Sequence, residues 1–477
     1  MNISNYYSAG MVFQHDQNNP VTGTGTDGKE VTVRLFRDGE LIEQEKAVVN
    51  NGTWKVRLNR QKPGFDYRLV ISDGTEEIVL DPIHFGDVYL LGGQSNIEYP
   101  LKDEKYFKDA GSLKNVSIFS VPRVEYFEDG KPFPDHEQAG WKKGSLDNLS
   151  DFSAIGYYIG KELDDLGIPV GLVSCNKGGT SASCWVDECS LKTDPDLYAH
   201  FWTEYWKDIQ NQSSREEDTK RLRYQQILQD YQNRCVQFMI DHPESSRKEM
   251  KSILGHTPWP GPKGKKDAGR PCGLYQTMSA SIEGIPFRSV VWYQGEEDTK
   301  DGEWYRRLLN TLVDCWQIKI PGKPDFYIVQ LPGYEDEPDK KWPLVREAQR
   351  QICENREDCH LITSIDLGQS DNIHPVEKSR LGRRIAKAIL DHEYGGKNLS
   401  QPEIIHVERT PEKTLVLFNQ KLSQRSPKSK LSLKDDFTVV LPSDSAGYSL
   451  ENNPEPVFYK LDETPLSPFY LDDPELI

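Results

Sequence analysis

The residues best suited to chemistry in this 477-residue chain fall in four short segments, each placed directly after an apolar run. Gly92-Gly93-Gln94-Ser95-Asn96 comes first. Its glycines permit a tight turn that would set Ser95 at a helix N-terminus, with an exposed hydroxyl and outward N–H groups for a developing oxyanion. The second, Asn176-Lys177-Gly178-Gly179-Thr180, has paired glycines that allow close backbone approach to another group. The third, Tyr293-Gln294-Gly295-Glu296, sets a side-chain amide able to donate to an oxyanion beside a carboxylate able to orient neighbours. In the fourth, Asp371-Asn372-Ile373-His374-Pro375, a carboxylate precedes a histidine by three positions. It can bond the ring, fix its tautomer and leave the far nitrogen as an acceptor. Ser95 and His374 thus read as nucleophile and general base, in an order that geometry permits. Each segment also has an ordinary structural use. N-caps and turns draw on the same residues, and Gln294 with Glu296 would suit a satisfied buried network. The GxSxG elbow is absent.

The elements that must position these loops are legible as pattern. Short continuous apolar runs at 88–92, 116–121, 169–175, 289–295, 326–331 and 360–366 alternate with helical stretches. That alternation predicts buried parallel strands in an α/β layer fold over residues 85–395, with ligand loops at the strands' C-terminal ends. Leu381, Ile385, Ala388 and Ile389 keep helical spacing after the histidine. Residues 1–84 differ: Val31, Val33 and Leu35, then Trp54, Val56 and Leu58, then Tyr67, Leu69 and Ile71 alternate with polar residues between Asp-Gly and Asn-Gly turns. This predicts a small antiparallel β-sandwich, with His15 its main polar oddity. A charged helical insertion at about 190–271 ends in a Pro/Gly/Lys-rich loop at 259–271. The helices are expected to flank or cover the sheet, and the loop to be either a surface connection or a cleft wall. Residues 396–477 return to short strands and a Pro-rich tail, a small β-rich domain.

Composition narrows the partners. With 75 acidic against 58 basic residues the formal net charge is −17, which disfavours nucleic acid and anionic membrane. No apolar stretch approaches the roughly 18 residues of a membrane span, and the start lacks a basic leader and apolar run, so a cytoplasmic protein is expected. Eight cysteines scattered between Cys175 and Cys359 form no CxxC pair and read as reduced thiols. Neither HExxH nor paired CxxC occurs, so no metal is expected.

At these residues the chain resembles the SGNH hydrolase superfamily, and within it the sialate O-acetylesterase-like carbohydrate esterases. Gly86-Asp87-Val88 leading into Gly93-Gln94-Ser95-Asn96 is similar to that family's GDVW…GQSNM block, with Ile97 in place of methionine. Gly178-Gly179-Thr180 before Trp185 is similar to its WGGT…W block, with Lys177 replacing tryptophan. Trp292-Tyr293-Gln294-Gly295-Glu296 resembles WYQGES, with Glu297 for serine. Gln330-Leu331, Trp342, Arg346, Glu347 and Gln349 resemble its QL…W..LREAQ stretch, and Asp371 with His374 its DxxH block. Residues 10–14 and 465–469 resemble the family's start and ending. The resemblance implies a three-layer, flavodoxin-like catalytic domain and no cofactor. It implies that Ser95 attacks an acetyl ester on a sugar hydroxyl, His374 moves the proton and Asp371 holds the ring. The oxyanion hole would be the N–H of Ser95, that of Gly178 or Gly179, and Gln294, with Gln94, Asn96 and Glu296 supporting. A lipase or thioesterase of the same superfamily, or an inactive carbohydrate-binding protein, are the alternatives. The resemblance implies an acetylated mono- or oligosaccharide as the substrate.

Overall fold

The computed structural model describes residues 1–133, 139–335, 341–395, 401–425 and 431–471. Most of residues 1–72 form short antiparallel strands, several with the buried alternation that the sequence predicts, while Val12–Gln14 pairs parallel with Glu77–Gly93. In Glu30–Arg37, Val31, Val33 and Leu35 are buried, and in Thr53–Leu58, Trp54, Val56 and Leu58 are. Asp38-Gly39 and Asn51-Gly52 take positive φ (52°, 81°, 50° and 73°), the hairpin geometry that such pairs favour. Glu30–Arg37 lies between Glu40–Val48 and Gly64–Ser72, and the last of these pairs with β1 (Glu77–Gly93).

β1 is the hinge of the architecture. Its first half pairs antiparallel with Gly64–Ser72. From Asp87 onward it pairs parallel with β3 (Val170–Asn176), and from Tyr89 with β4 (Ser289–Tyr293). The boundary read at 84/85 therefore falls inside one strand, and a single apolar core runs through both halves. With β2 (Val116–Ser120), β5 (Asp325–Val329) and β6 (Cys359–Ile362), the parallel order is β2-β3-β1-β4-β5-β6. Every apolar run singled out in 85–395 supplies one of these strands. Their near-continuous burial is what strands covered on both faces require.

Helices α1 (Ala154–Leu163), α4 (Gly302–Lys319), α5 (Trp342–Asn355) and α6 (Ser379–Glu393) connect or follow these strands. α1 packs on α6, where Gly382 lies against Tyr158, and α4 packs on α5. The insertion is helical, as expected. It includes α2 (Ser214–Asp241), opened by a Ser213/Glu216 capping box, and α3 (Arg247–Leu254). α2 leaves Leu222 61% exposed, so charge and capping rather than a core face account for much of its pattern. Residues 404–424 and 432–470 form small antiparallel sheets around a separate apolar cluster that includes Val416, Phe418, Val439, Tyr448 and Phe469. No helix among the described residues is long and apolar enough to cross a membrane, and all eight cysteines are unpaired.

Candidate active site

All four sequence loops sit at or beyond the C-terminal ends of parallel strands. At the end of β1, Gly93 has φ of +133°, and a Cβ there would meet Tyr293 O at 2.0 Å, so only glycine lets β1 approach β4 this closely. The chain then turns. The Gln94 N–H donates to Tyr293 O (3.1 Å), while Gln94 O accepts from the N–H groups of Ile97 and Glu98 (both 3.1 Å). Ser95 opens the resulting single helical turn, Ser95–Glu98, and is half-buried.

His374 reaches this serine from the loop between β6 and α6. Its Nε2 lies 2.7 Å from Ser95 Oγ. With that nitrogen as acceptor, the hydroxyl donates into the ring, the contact needed for proton removal during attack. The loop is held by Asn372, whose Oδ1 accepts from the His374 N–H (3.1 Å) and whose Nδ2 donates to His374 O (2.8 Å). Asp371 lies in the same loop. Among the described residues no hydrogen bond or ion pair joins its carboxylate to the ring. Its backbone oxygen accepts from Lys251 Nζ at 3.0 Å, and the short side chain that brackets His374 belongs to Asn372.

Gln294 sits within a dense network. Its amide is fully buried, and Nε2 lies 2.6 Å from Asp298 Oδ2, 3.1 Å from Thr180 O and 3.2 Å from Gln94 Oε1. Its Oε1 accepts from Tyr305 Oη (2.9 Å) and its backbone oxygen from Gln349 Nε2 (3.0 Å). Both amide protons have acceptors within this network. Asp298 also accepts from Ser181 Oγ (2.6 Å) and the Ala182 N–H (2.8 Å), and burial pushes its carboxyl up to about 6. Gln94 Oε1 further accepts from the N–H groups of Gly295 and Glu297, so Gln94 ties the first loop to the third.

Asn96 ties the first, third and fourth loops. Its Nδ2 donates to Glu296 Oε1 (2.5 Å) and Ile373 O (3.0 Å), and its Oδ1 accepts from Lys378 Nζ (2.5 Å). Glu296 is buried, which raises its carboxyl pKa. Lys378 is buried too, and desolvation pulls its ammonium down to about 7 against the opposing pull of Glu296 and Glu104. Sequence reasoning missed Lys378, Asp298 and Asn372. Lys378, four residues after His374, offered no signal beyond its place at the start of α6.

The second loop faces the serine through Gly178, where an added Cβ would lie 3.2 Å from Ser95 Cβ. The Gly178 N–H donates to Glu98 Oε2 at 2.5 Å, and Arg123 holds the other oxygen of that carboxylate at 2.8 Å. Gly179 faces elsewhere: with φ of +67°, it lies under Trp259, whose ring a Cβ would meet at 2.4 Å. Trp259 Nε1 donates to Glu297 Oε2 (2.9 Å). Beyond it opens a cavity of about 560 Å³ walled by Lys177–Ser181, the insertion's His200, Tyr205, Arg221 and Tyr224, the 259–271 loop, Glu297 and Lys300. Of the two readings of that loop, the cleft wall is the one seen. Ser95 and His374 adjoin this cavity across Gly178 and do not line it.

A serine–imidazole pair at the C-terminal edge of a parallel α/β sheet is a hydrolase-type site, suited to acyl transfer. Comparison with known proteins agrees. Residues 273–391 match the family model described as "Carbohydrate esterase, sialic acid-specific acetylesterase". The chain is 26% identical over 435 residues to sialate O-acetylesterase of Mus musculus, covering 83% of this chain and 74% of that protein. Against the Homo sapiens sialate O-acetylesterase it is 28% identical over 207 residues, 40% of this chain and 39% of that one. The fold superposes on a carbohydrate acetylesterase from Xanthomonas citri with a TM-score of 0.73 at 23% identity, covering 99% of each chain. The chain is thus similar in sequence to sialate O-acetylesterases over most of its length, as its five motif blocks lead one to expect.

Proposed function

We propose that this protein is a serine carbohydrate esterase that hydrolyses O-acetyl esters on sugar hydroxyls through an acetyl-enzyme, with Ser95 as nucleophile and His374 as base. The observation that carries this reading is the 2.7 Å contact between Ser95 Oγ and His374 Nε2. Ser95 Oγ attacks the acetyl carbonyl carbon while its proton passes to Nε2. The ester C–O bond then breaks, and that proton leaves with the sugar oxygen. Water next attacks the acetyl carbon, giving its proton to the same nitrogen, and acetate departs as Ser95 is restored. Asp371 enters as a neighbouring charge on the histidine's loop. Of the oxyanion donors foreseen, the Gly178 N–H is supported by its place beside Ser95, with the Ser95 N–H from the turn. Glu98 now takes the Gly178 proton and must yield it to a substrate oxygen, with Arg123 available to keep the displaced carboxylate. Gln94, Asn96, Glu296 and Gln294 fix the loops.

The cavity beyond Gly178 supports a sugar substrate. Its walls mix the charges of Lys177, Arg221, Glu297 and Lys300 with the half-exposed Trp259 ring, a lining that suits hydroxyl-rich rings better than a long acyl chain. The finer architecture belongs to this reading: a three-layer SGNH domain over about 85–395, an N-terminal β-sandwich and a C-terminal β-rich unit. Unpaired cysteines support a reducing, cytoplasmic setting, where short acetylated glycans are the expected substrates.

Acetate release from acetylated sialic acid, xylooligosaccharides and mannooligosaccharides tests the proposal. Wild type releases acetate from at least one, and Ser95→Ala drops the rate by about 10⁴-fold or more with an unchanged circular dichroism spectrum. Hydrolysis of long-chain acyl esters alone would favour a lipase, and inertness toward every ester a binding protein.

A further inference from the structure

The opposite end of the parallel sheet holds a second group of chemically capable side chains. Asp325 is the first residue of β5, His360 the second of β6, and His392 lies in the last turn of α6. One donor atom from each falls within 4.8 Å of the others. His360 Nε2 is 3.3 Å from Asp325 Oδ2, and His392 Nδ1 is 3.7 Å from the same oxygen. The two imidazole rings have centroids 4.0 Å apart. The first of these contacts is a hydrogen bond, whereas at 3.7 Å the second is too long for one. Both spacings also suit ligands of a shared ion. Two bonds of about 2.0–2.1 Å meeting at a tetrahedral angle place their ligand atoms roughly 3.3 Å apart. Asp325 has no lysine or arginine ion-pair partner among the described residues, where its ion pairs are to these two histidines.

We propose that Asp325, His360 and His392 bind one late first-row divalent cation of the zinc type, with water completing the shell. Two imidazoles and a carboxylate are the donor set such ions favour. The side chains keep 34%, 23% and 46% of their surface accessible, which leaves the ion an entry path and a place for water. Tyr327 Oη lies 3.4 Å from the same His392 Nδ1 and would have to give up that contact to the ion, while it keeps its bond to Glu393 Oε1 at 3.0 Å. The ion would clamp the last turn of α6 onto two adjacent strands. α6 spans roughly 22 Å at 1.5 Å per residue, and its other end follows the His374 loop, so the site is structural and stands apart from the esterase chemistry. Local sequence spacing hid it because the three ligands lie on three elements.

Chelator-stripped full-length protein titrated with Zn²⁺ in a calorimeter tests this, with Co²⁺ absorption as a report on ligand type. Wild type should bind one Zn²⁺ per chain and melt at higher temperature when it does. His392→Ala and His360→Asn should each weaken binding by at least about 100-fold, since even outer ligand partners are worth 10- to 100-fold. Acetate release should be the same with and without chelator. Absence of Zn²⁺ binding overturns the site. Affinity unchanged in both variants overturns it too, assigning the ion to thiols such as the exposed Cys189. Loss of esterase activity on chelation would overturn the structural role.

Discussion

Two groups of polar residues meet at the C-terminal edge of the sheet, and they are built differently. Ser95 and His374 are half-buried, a 2.7 Å contact joins them, and one side of the serine faces Gly178. Gln294, Asn96 and Asp298 are fully buried, and each makes several hydrogen bonds to loops on different strands. A reacting group needs spare bonding capacity and access. A group that fixes loops is most effective when saturated, because an unmatched buried polar atom costs about 1–3 kcal/mol. The motif residues thus divide by their surroundings into those that can change partners and those that cannot.

The sharpest way to break this division is Gln294→Ala. If Gln294 is a strut, the variant strands Asp298, Gln94 and the Tyr305 hydroxyl. Urea unfolding should then show a loss of about 2–4 kcal/mol, while kcat of the folded fraction falls less than about 10-fold. A kcat loss of about 10²- to 10³-fold with stability intact would instead make it an oxyanion donor. The second test concerns Lys378, whose folded pKa of about 7 lies below its ordinary value of 10.5. Glu296, Glu104 and the Tyr99 ring face it. Above pH 7 the folded state sheds this proton while the unfolded chain keeps it, so the penalty for the buried charge is relieved as pH rises. Wild-type stability should therefore gain between pH 7 and 9 relative to Lys378→Met, measured by parallel denaturant titrations. Parallel curves would mean that the ammonium stays charged beside Glu296.

How much was legible beforehand follows the same division. Apolar runs specify buried strands because burial on both faces leaves few other uses for them, so all six strands and the loops at their ends could be read. The approach of Ser95 to His374 could be anticipated because both follow apolar runs that become strands of one parallel sheet. The direction of the Gln294 amide was not legible. It depends on Asp298, which nothing in the chain marks as a partner, and on Thr180 from another strand. The 84/85 boundary failed to show that β1 is continuous, because a change in pattern marks a change of neighbours and not a break in the backbone.

Asp371 gives the smallest expected effect and the finest test. A carboxylate bonded to the histidine ring fixes its tautomer and stabilises the imidazolium, and replacing it with an amide then costs about 10⁴-fold. Here Asn372 fixes the His374 backbone, and the Asp371 oxygen in use is the main-chain one, which Asp371→Asn preserves. What the variant removes is a carboxylate three residues before the histidine. The expected loss in kcat is no more than about 10-fold, or roughly 1.4 kcal/mol, with KM little changed. A loss near 10⁴-fold would show that substrate binding rebuilds the 369–374 loop and brings the carboxylate to the ring. The serine–histidine pair would then be half of an arrangement that closes only around the ester.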